Sequence, residues 1–585
     1  MKGFLKYFLA SFLAVCVALL VLTLIGLGSL SALISAAPDE VKIKPGTVLV
    51  LDLEGRVTER TIDNPMETFD YRSFKMETSI GLTDIILNLA KAEKDPNIAG
   101  LLVKTGMTSP GISTLDEIRE SLIRFKESGK FIIASSDNFS QGGYYVATVA
   151  DGIYMNPEGL LELRGLRSDV IFYKKALEKI GVDIQVVREG KYKSAVEPFS
   201  LESMSEASKE QVSAYLTIVW NRMLAGISQT RGIPVDELNR LADEWAIRTS
   251  REAVEKGLID SLMYEDQVLD LVKARSQIAA SEKLRTVTMS QYTRVADPVR
   301  QGYSPDRIAI VYGTGSISKE SSGNQGIGKE LARTFARVRK DNKVKAVVFR
   351  INSPGGDALA SEVIRREVEL TAAAKPVIVS MGNVAGSGGY WIATPGRKIV
   401  AGHTSLTGSI GVFGMVPNLG KLLTDKIGIT FDGVQTNKLS DAGSFYRAMT
   451  TEETAVLKDW LNHTYDRFLD IVSQTRKMTK EEVDRVGQGR IWAGIDAKTA
   501  GLVDEIGGLH EAIKLAASEA GLENYRIREL PLLKNPVNEI INSLLGKGSP
   551  QETLLARQLP VIRDLQEIIE GGQVQARVPF RIDIR

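Results

Sequence analysis

The chain has a single cysteine and only three histidines among its 585 residues. Cys16 lies inside an apolar run near the amino terminus, so the rest of the chain has no disulfide, no thiol nucleophile and no cysteine metal ligand. His403, His463 and His510 are far apart and do not form a metal-ligand spacing such as HExxH. We therefore expect neither a metal nor another cofactor.

Net charge is almost absent as well, because 73 Lys and Arg residues offset 72 Asp and Glu residues and leave +1. No global electrostatic field would attract nucleic acid or anionic lipid, so we expect no nucleic-acid partner. The 43% of apolar and 25% of charged residues are typical of a globular protein. The chain is too long for one hydrophobic core, so we expect more than one folded unit.

Charged residues are missing from positions 7–38. Within this run, Phe8 to Leu27 supply the roughly 20 apolar residues needed to cross a membrane, and we predict a retained membrane anchor. Lys2 and Lys6 favour a cytoplasmic amino terminus with the rest of the chain outside. A cleavable signal peptide is the alternative, because residues 35–37 resemble a small-residue cleavage site.

The two halves of the chain are copies of each other, and each copy lacks a residue that the other retains. Within matching Gly-Gly-Tyr turns Ser387 aligns with Gln141, an offset of 387 − 141 = 246. Lys193 aligns with Ser440, an offset of 440 − 193 = 247, so one register joins both pairs. A duplicated ancestor that carried both a serine and a lysine would decay in this way if one composite site survived.

Both halves alternate apolar strand-like runs with helical stretches, a pattern that favours βα crossovers and a largely parallel sheet. The predicted strands are Thr47–Leu53, Ile98–Lys104 and Phe131–Ala134 in the first half, and Arg307–Tyr312, Lys345–Ile351 and Pro376–Ser380 in the second. We therefore predict an α/β fold of two tandem repeats that follow an amino-terminal transmembrane helix.

The expected domains are the membrane anchor, two repeats and a tail. Their boundaries are 1–40 for the anchor, 41–290 for the first repeat, 300–530 for the second repeat and 531–585 for a tail used in packing or assembly. Within the tail, residues 537–545 form an amphipathic pattern, the pattern of residues 554–569 favours a helix, and residues 576–584 alternate as a strand does. Two prolines and polar residues between Glu282 and Pro305 indicate the linker between the repeats.

Ser387 follows a predicted strand and precedes a predicted helix that starts near Gly389. Its hydroxyl would lie where unpaired backbone N–H groups favour developing negative charge. The turn after a neighbouring strand contains Gly355 and Gly356, which could aim an N–H at a substrate carbonyl and, with the Gly388 N–H, form a two-donor oxyanion hole. Both glycine clusters could also be plain tight turns.

A nucleophilic serine needs a base, and no Ser-His-Asp set is evident in the sequence. His403 is close to Ser387 along the chain, but its counterpart in the first half is Pro157. Lys193 is the preferred base, because burial away from a counter-ion would lower the pKa of its amine from about 10.4 toward neutrality. Lys191 is the alternative.

Four segments together resemble the signal peptide peptidase A family, also called protease IV, in its long double-domain form. They are Tyr192-Lys193-Ser194-Ala195, Asn352-Ser353-Pro354-Gly355-Gly356, Ser387-Gly388-Gly389-Tyr390-Trp391 and Leu406-Thr407-Gly408-Ser409-Ile410-Gly411. The resemblance implies crotonase/Clp-protease-like repeats and a membrane-bound serine endopeptidase. By that resemblance Ser387 is the nucleophile, Lys193 is the general base, the N–H groups of Gly356 and Gly388 form the oxyanion hole, and the Ser409 hydroxyl orients the lysine amine.

The resemblance also implies substrates and partners. We expect an enzyme that degrades cleaved signal peptides and other extended apolar peptides after secretion, with small or aliphatic residues before the cut bond. We expect a homotetramer with a single membrane pass in a bacterial inner membrane and its catalytic part on the periplasmic side. One alternative is a catalytically idle membrane scaffold that binds peptides in crotonase-like grooves, and another is a crotonase-type acyl-CoA enzyme. Whether Lys193 meets Ser387 within one chain or between subunits is left open.

Overall fold

A computed structural model describes residues 3, 6–8, 10–21, 41–61, 69–70, 75–76, 79–107, 110–279, 281–298, 304–319, 327–533 and 574–578. Residues 10–21 are helical, and residues 9 and 22–27 of the predicted membrane span lie outside the described residues. Within the described ranges, no helix is both long enough and apolar enough to cross a membrane. Helices and strands alternate over the other described residues, which confirms the predicted α/β class.

The strands of the first half are β1 (Thr47–Asp52), β2 (Arg56–Thr58), β3 (Phe69–Asp70), β4 (Lys75–Met76), β5 (Ser79–Gly81), β6 (Ile98–Lys104), β7 (Phe131–Ser136), β8 (Gly152–Met155), β9 (Asp183–Glu189), β10 (Ser261–Leu262) and β11 (Thr286–Thr288). Those of the second half are β12 (Arg307–Thr314), β13 (Val344–Ser353), β14 (Gly355–Asp357), β15 (Val377–Gly386), β16 (Lys398–Ala401), β17 (Leu406–Gly408), β18 (Val412–Asn418), β19 (Ile491–Ala493), β20 (Glu505–Ile506), β21 (Arg526–Leu530) and β22 (Val574–Arg577).

The helices of the first half are α1 (Leu82–Ala92), α2 (Ile112–Glu127), α3 (Gln141–Ala147), α4 (Lys174–Ile180), α5 (Glu197–Ser200), α6 (Glu206–Arg231), α7 (Val235–Asp243), α8 (Ser250–Glu255), α9 (Glu265–Arg275) and α10 (Met289–Tyr292). Those of the second half are α11 (Lys329–Lys340), α12 (Ala358–Ala374), α13 (Gly388–Ala393), α14 (Thr451–Arg476), α15 (Lys480–Val486), α16 (Gly494–Thr499) and α17 (Leu509–Glu519). A 3₁₀ turn covers Ser194–Val196 and a π-helical turn covers Leu422–Ile427.

The first half forms a parallel sheet of six strands in the order β10-β8-β7-β6-β1-β11. Leu101, Leu102 and Val103, which follow one another in β6, are all at most 1% exposed. A strand with both faces buried reads as a continuous apolar run, which is why β6 could be located from the sequence.

The second half repeats this plan in the order β19-β17-β15-β13-β12-β21, with β16 beside β15 and β20 beside β16. All these pairs are parallel except β17 with β19. Ser353 at the end of β13 pairs with Ala385 near the end of β15. The two turns that follow these strands therefore lie side by side, as adjacent strand ends of a parallel sheet do.

The two halves share a hydrophobic core. Ile308 and Ile310 of β12 pack in the same cluster as Leu49 of β1, whereas Ala309 and Val311 pack in a second cluster within the second half. Successive side chains of a strand point to opposite faces, so β12 contributes to both cores. The halves consequently form one packed body.

A third sheet, in the order β14-β22-β18-β9, is antiparallel throughout. β9 of the first half pairs with β18 of the second half from Asp183↔Asn418 to Glu189↔Val412. The chain segment that follows β9 is thereby placed against the second half.

The interval predicted as the linker contains β11, which pairs with β1 at the edge of the first sheet, and α10. Its buried residues Val287, Met289 and Tyr292 are separated by polar residues. The sequence therefore has no continuous apolar run here that would indicate a strand. In the predicted tail, β22 overlaps the predicted strand-like run 576–584, whose positions 579–584 lie outside the described residues. The amphipathic run 537–545 and the helix expected at 554–569 also lie outside the described residues, and the domain boundaries stay predictions.

A buried ion cluster joins the halves beside β13. The guanidinium of Arg350 is fully buried, with Nε 2.8 Å from Glu59 Oε2 and Nη2 2.6 Å from Glu117 Oε1. Arg350 Nη1 also donates to Ser380 Oγ at 2.9 Å. Each carboxylate depends on the arginine for its main counter-charge.

Replacing Arg350 with Met should destabilise the protein by about 3–5 kcal/mol, because two buried carboxylates would lose their cation. Arg366→Met is the matched control, since Arg366 has a 60% exposed side chain and a 2.7 Å pair with Glu369, and such surface pairs contribute about 0–1 kcal/mol. Urea denaturation followed by circular dichroism measures both effects. Equal midpoints for the two variants would contradict a structural role for the buried cluster.

Candidate active site

Ser387 lies in a constrained turn between β15 and α13. Its backbone has φ 54° and ψ −114°, a region that non-glycine residues rarely occupy. The Ser387 N–H donates to Gly408 O at 2.8 Å, and the Ser387 carbonyl accepts from Trp391 N–H at 2.8 Å. Strain of this kind persists where surrounding contacts fix it and is concentrated at functional sites.

Lys193 meets Ser387 across the interface between the halves. Its Nζ lies 2.7 Å from Ser387 Oγ and 3.0 Å from Ser409 Oγ, and it donates to the Ser409 carbonyl at 3.1 Å. All three side chains are completely buried. The structure therefore joins the retained lysine and the retained serine within one chain.

Burial lowers the pKa of Lys193 well below its ordinary value of 10.5, and no neighbouring charge opposes the shift. The charged ammonium is disfavoured because its contacts are hydroxyl and carbonyl oxygens rather than carboxylates. A neutral amine at this position can accept a proton from the Ser387 hydroxyl.

Backbone contacts from the second half fix the loop that carries Lys193. Tyr192 N–H donates to Gln488 O at 2.8 Å. Gly489 has φ +77°, and a Cβ built there would lie 2.6 Å from Lys193 N. Only glycine permits this close approach without displacing the lysine backbone.

Ser409 lies in a second strained turn, with φ 51°, directly after β17. Its N–H donates to Arg490 O at 2.7 Å, which holds the turn in place. Both its hydroxyl and its carbonyl face Lys193 Nζ, so it can fix the direction of the amine.

The two predicted oxyanion glycines also lie together. A Cβ built on Gly388 would lie 3.1 Å from Gly356 N, so the Gly356 N–H and the start of α13 are neighbours. Gly355 has φ +95°, and a Cβ built there would lie 2.7 Å from Gly388 N. The glycines are needed here because a side chain would fill the space between the two donors.

The predicted alternatives lie outside this contact set. Lys191 is exposed, with its Nζ over the Tyr192 ring. His403 is not among the hydrogen-bond partners of Ser387 Oγ, which are Lys193 Nζ and Gly411 O. Ser440, the counterpart of Lys193, is exposed.

Gln141, the counterpart of Ser387, is used structurally in the first half. Its Nε2 donates to Gly165 O at 3.0 Å, and its Oε1 accepts from the N–H groups of Arg164 and Gly165 at 2.7 and 2.9 Å. The glutamine side chain therefore ties down a neighbouring loop at the position where the second half has a hydroxyl.

Two supporting residues were missed by the sequence analysis. Gln211 Nε2 donates to Tyr192 O and to Ser194 Oγ, both at 3.0 Å, and thus holds the lysine loop on both sides. Asn352 donates to Glu59 Oε1 at 2.8 Å and accepts from Val384 N–H at 3.2 Å, which links β13 to β15 just before the two turns of the site. Gln211 lies on a helix far from any motif, whereas Asn352 lies inside one of the quoted segments and could have been found.

The carboxy-terminal strand β22 lies inside the site. It pairs on one side with β14, as Gly356↔Ala576, and on the other side with β18, as Phe413↔Gln575. The tail predicted as a packing surface therefore contributes residues next to Gly356, one of the two predicted oxyanion glycines. Among the described residues, no group of three or more His, Cys, Asp or Glu side chains could hold a metal ion.

Comparison with known proteins relates both halves to one family. The model of peptidase family S49 matches residues 124–279 and 369–523. The matches begin 369 − 124 = 245 residues apart, close to the offset between the repeats.

Several curated proteins are similar over most of the chain. Protease 4 of Haemophilus influenzae is 36% identical over 489 residues, which cover 80% of this chain and 78% of that protein. Protease 4 of Salmonella typhi is 34% identical over 523 residues, covering 85% and 82%. The chloroplastic serine protease SPPA of Arabidopsis thaliana is 33% identical over 544 residues, covering 92% and 78%.

Among solved structures, a ClpP1 mutant from Listeria monocytogenes aligns with 35% of this chain and 94% of its own length, at 14% identity and a TM-score of 0.23. A score this low does not establish a shared fold.

The buried amine should leave a signature in the pH dependence of stability. Between the lowered pKa of folded Lys193 and the ordinary value of 10.5, the unfolded chain binds more protons, so this residue makes stability rise with pH. Lys193→Met removes that contribution. The unfolding midpoint of the natural chain, measured in urea relative to the variant, should therefore increase from pH 7 to pH 10. A constant difference would mean that the lysine is charged in the folded state.

Proposed function

The chain belongs to peptidase family S49 and is a serine protease, and we propose that Ser387 and Lys193 form its catalytic dyad. The observation that carries this proposal is the 2.7 Å separation of Lys193 Nζ and Ser387 Oγ, with both side chains fully buried. A hydroxyl next to an uncharged amine is the pairing that an activated serine nucleophile requires.

The proposed reaction uses the lysine twice. Neutral Lys193 takes the Ser387 proton while Oγ attacks the substrate carbonyl carbon, and the N–H groups of Gly356 and Gly388 stabilise the oxyanion. The ammonium gives its proton to the leaving amine, which leaves an acyl-enzyme. Water deprotonated by the same lysine then attacks the ester carbon and releases the acid, which restores the Ser387 hydroxyl.

Ser409 supports this cycle as a positioning residue. Its hydroxyl and carbonyl both contact the lysine nitrogen, at 3.0 and 3.1 Å. These oxygens stabilise the transient ammonium without a permanent negative charge that would keep the lysine protonated.

The proposed substrates are extended apolar peptides, including cleaved signal peptides, with small or aliphatic residues before the cut bond. Support comes from the backbone edges of β14 and β18, which hold the extended strand β22 between them and would pair in the same way with an extended peptide. We also propose anchoring by the uncharged segment 7–38 in a bacterial inner membrane, with the catalytic part on the periplasmic side. Neither an idle scaffold nor an acyl-CoA enzyme is favoured by an observation of this structure.

We further propose that copies assemble head to tail into a homotetramer. Within one chain, β9 pairs with β18. Adding the offset of 247 to the positions of β9 gives the corresponding residues 430–436 of the second half, and subtracting 246 from those of β18 gives residues 166–172 of the first half. Neither of these corresponding segments forms a strand. Pairing of these segments between copies would repeat the internal contact, and such heterologous contacts close into rings.

Val434→Asp should weaken the assembly, because Val434 is 102% exposed in the segment proposed to pair with another copy and a buried unpaired carboxylate is costly. Val456→Asp is the matched control, since Val456 is 58% exposed on α14 outside that segment. Sedimentation velocity at several concentrations should show smaller species only for Val434→Asp. Equal sedimentation of both variants would exclude this contact.

Ser387→Ala and Lys193→Met should each lower peptide cleavage by about 10³-fold or more while leaving the far-ultraviolet circular dichroism unchanged. Lys191→Met is the control for the lysine, because Lys191 is exposed and lies two residues away. Hydrolysis of a fluorogenic peptide and labelling of Ser387 by a serine-directed probe give independent measurements. Full activity in either dyad variant would reject the mechanism.

A further inference from the structure

β22 fills a strand-shaped groove at the active site. One edge of the groove is β14, which carries the oxyanion glycine Gly356, and the other edge is β18. Beyond the end of β22, Val578 N–H donates to Pro354 O at 2.7 Å and extends the same antiparallel ladder. A segment more than 150 residues beyond β18 in the sequence thus lies between the two backbone edges.

The register places one carbonyl of this strand at the oxyanion donors. Hydrogen-bonded pairs recur at every second residue of an antiparallel ladder, so the position after Pro354–Val578 is Gly356–Ala576. A Cβ built on Gly388 would lie 3.0 Å from Ala576 O and 3.1 Å from Gly356 N. The carbonyl of Ala576 therefore lies where a substrate carbonyl would bind.

Side chains of the strand are buried in the groove. Ala576 is 0% exposed, Gln575 is 2% exposed and Val578 is 4% exposed. A Cβ built on Gly386 would lie 2.3 Å from Val578 Cγ2, so Val578 packs against the backbone that immediately precedes Ser387. Val578 therefore helps to exclude water from the turn that carries Ser387.

We propose that residues 574–578 are an intramolecular ligand of the active-site groove, held in the position of a substrate with the Ala576 carbonyl at Gly356 and Gly388. A substrate must displace this segment before it can bind. The inference rests on the proposed dyad and names the competing ligand for the same site.

The contacts also define the chemistry of the peptide that can replace the strand. Such a peptide must be extended, because it pairs with β14 and β18 on both edges. Its residue at the place of Ala576 must be small, because that side chain is fully enclosed in the core of the second half. These requirements match the small residue proposed before the cut bond.

Two chains of nearly equal length test the proposal. A chain that ends at Gln573 lacks the strand, whereas a chain that ends at Val578 keeps it and serves as the matched control. Circular dichroism and thermal unfolding check that both are folded. The chain ending at Gln573 should cleave a short fluorogenic peptide with kcat/KM raised about tenfold or more through a lower KM, since apparent affinity scales with the fraction of open grooves. The chain ending at Val578 should behave as the full chain.

A substitution in the full-length chain gives a second readout. Ala576→Trp should raise kcat/KM in the same direction, because tryptophan does not fit the enclosed position of Ala576. The blocked peptide Val-Gln-Ala-Arg-Val should inhibit the chain ending at Gln573 more strongly than the full chain. The same peptide with tryptophan in place of alanine is the control.

Equal kcat/KM for the two shortened chains, with Ser387 labelled by a serine-directed probe in both, would overturn this inference and leave the dyad intact. Loss of activity in the folded chain ending at Gln573 would also overturn it, because β22 would then be a structural part of the site. Absence of labelling in both shortened chains and in the full chain would instead reject the dyad itself.

Discussion

The contact between Lys193 Nζ and Ser387 Oγ sets the main constraint on this structure, because it requires an amine that stays uncharged in a folded protein. Burial is the cause that lowers the pKa of Lys193. Four residues further along the chain, the carboxylate of Glu197 is held by Arg188 at 3.2 Å and by the Ser205 hydroxyl at 2.6 Å. Glu197 does not contribute to the pKa of Lys193, for which burial is the only cause. A dry pocket lined by hydroxyl and carbonyl oxygens follows from this requirement.

Duplication makes it possible to build such a pocket at an interface. The lysine arrives on the loop after β9, and β9 is held by antiparallel pairing with β18 of the other half. The serine, in contrast, is fixed by the turn at the end of β15. Each half therefore needs only one reactive group. In the first half, the position that corresponds to Ser387 is Gln141, whose side chain accepts hydrogen bonds from the N–H groups of residues 164 and 165. The cost is that stability and activity both depend on the contact between the halves, to which the buried Arg350 cluster also contributes.

The sequence was informative wherever burial leaves a continuous apolar run or a conformation demands glycine. β6 has the predicted bounds, and the glycine turns around 356 and 388 lie side by side as adjacent parallel strands require. The pairing of Lys193 with Ser387 followed from comparing the repeats rather than from any local signal. The third sheet could not be predicted in the same way, since β14 has only three residues and its partners come from distant parts of the chain. β11 was missed because its single buried residue, Val287, lies between polar neighbours.

The third sheet explains how one ladder can organise all parts of the site. β9 leads to Lys193, the proposed base, β18 forms one wall, and β14 carries Gly356, the proposed oxyanion donor. A strand between β14 and β18 is therefore aligned with these groups by its backbone alone. Recognition through main-chain pairing depends on the peptide backbone and tolerates many side chains. It also leaves two unsatisfied strand edges whenever the groove is empty, and such edges attract any extended segment that can reach them. A segment of the same chain is always available, which accounts for the position of β22 in physical terms.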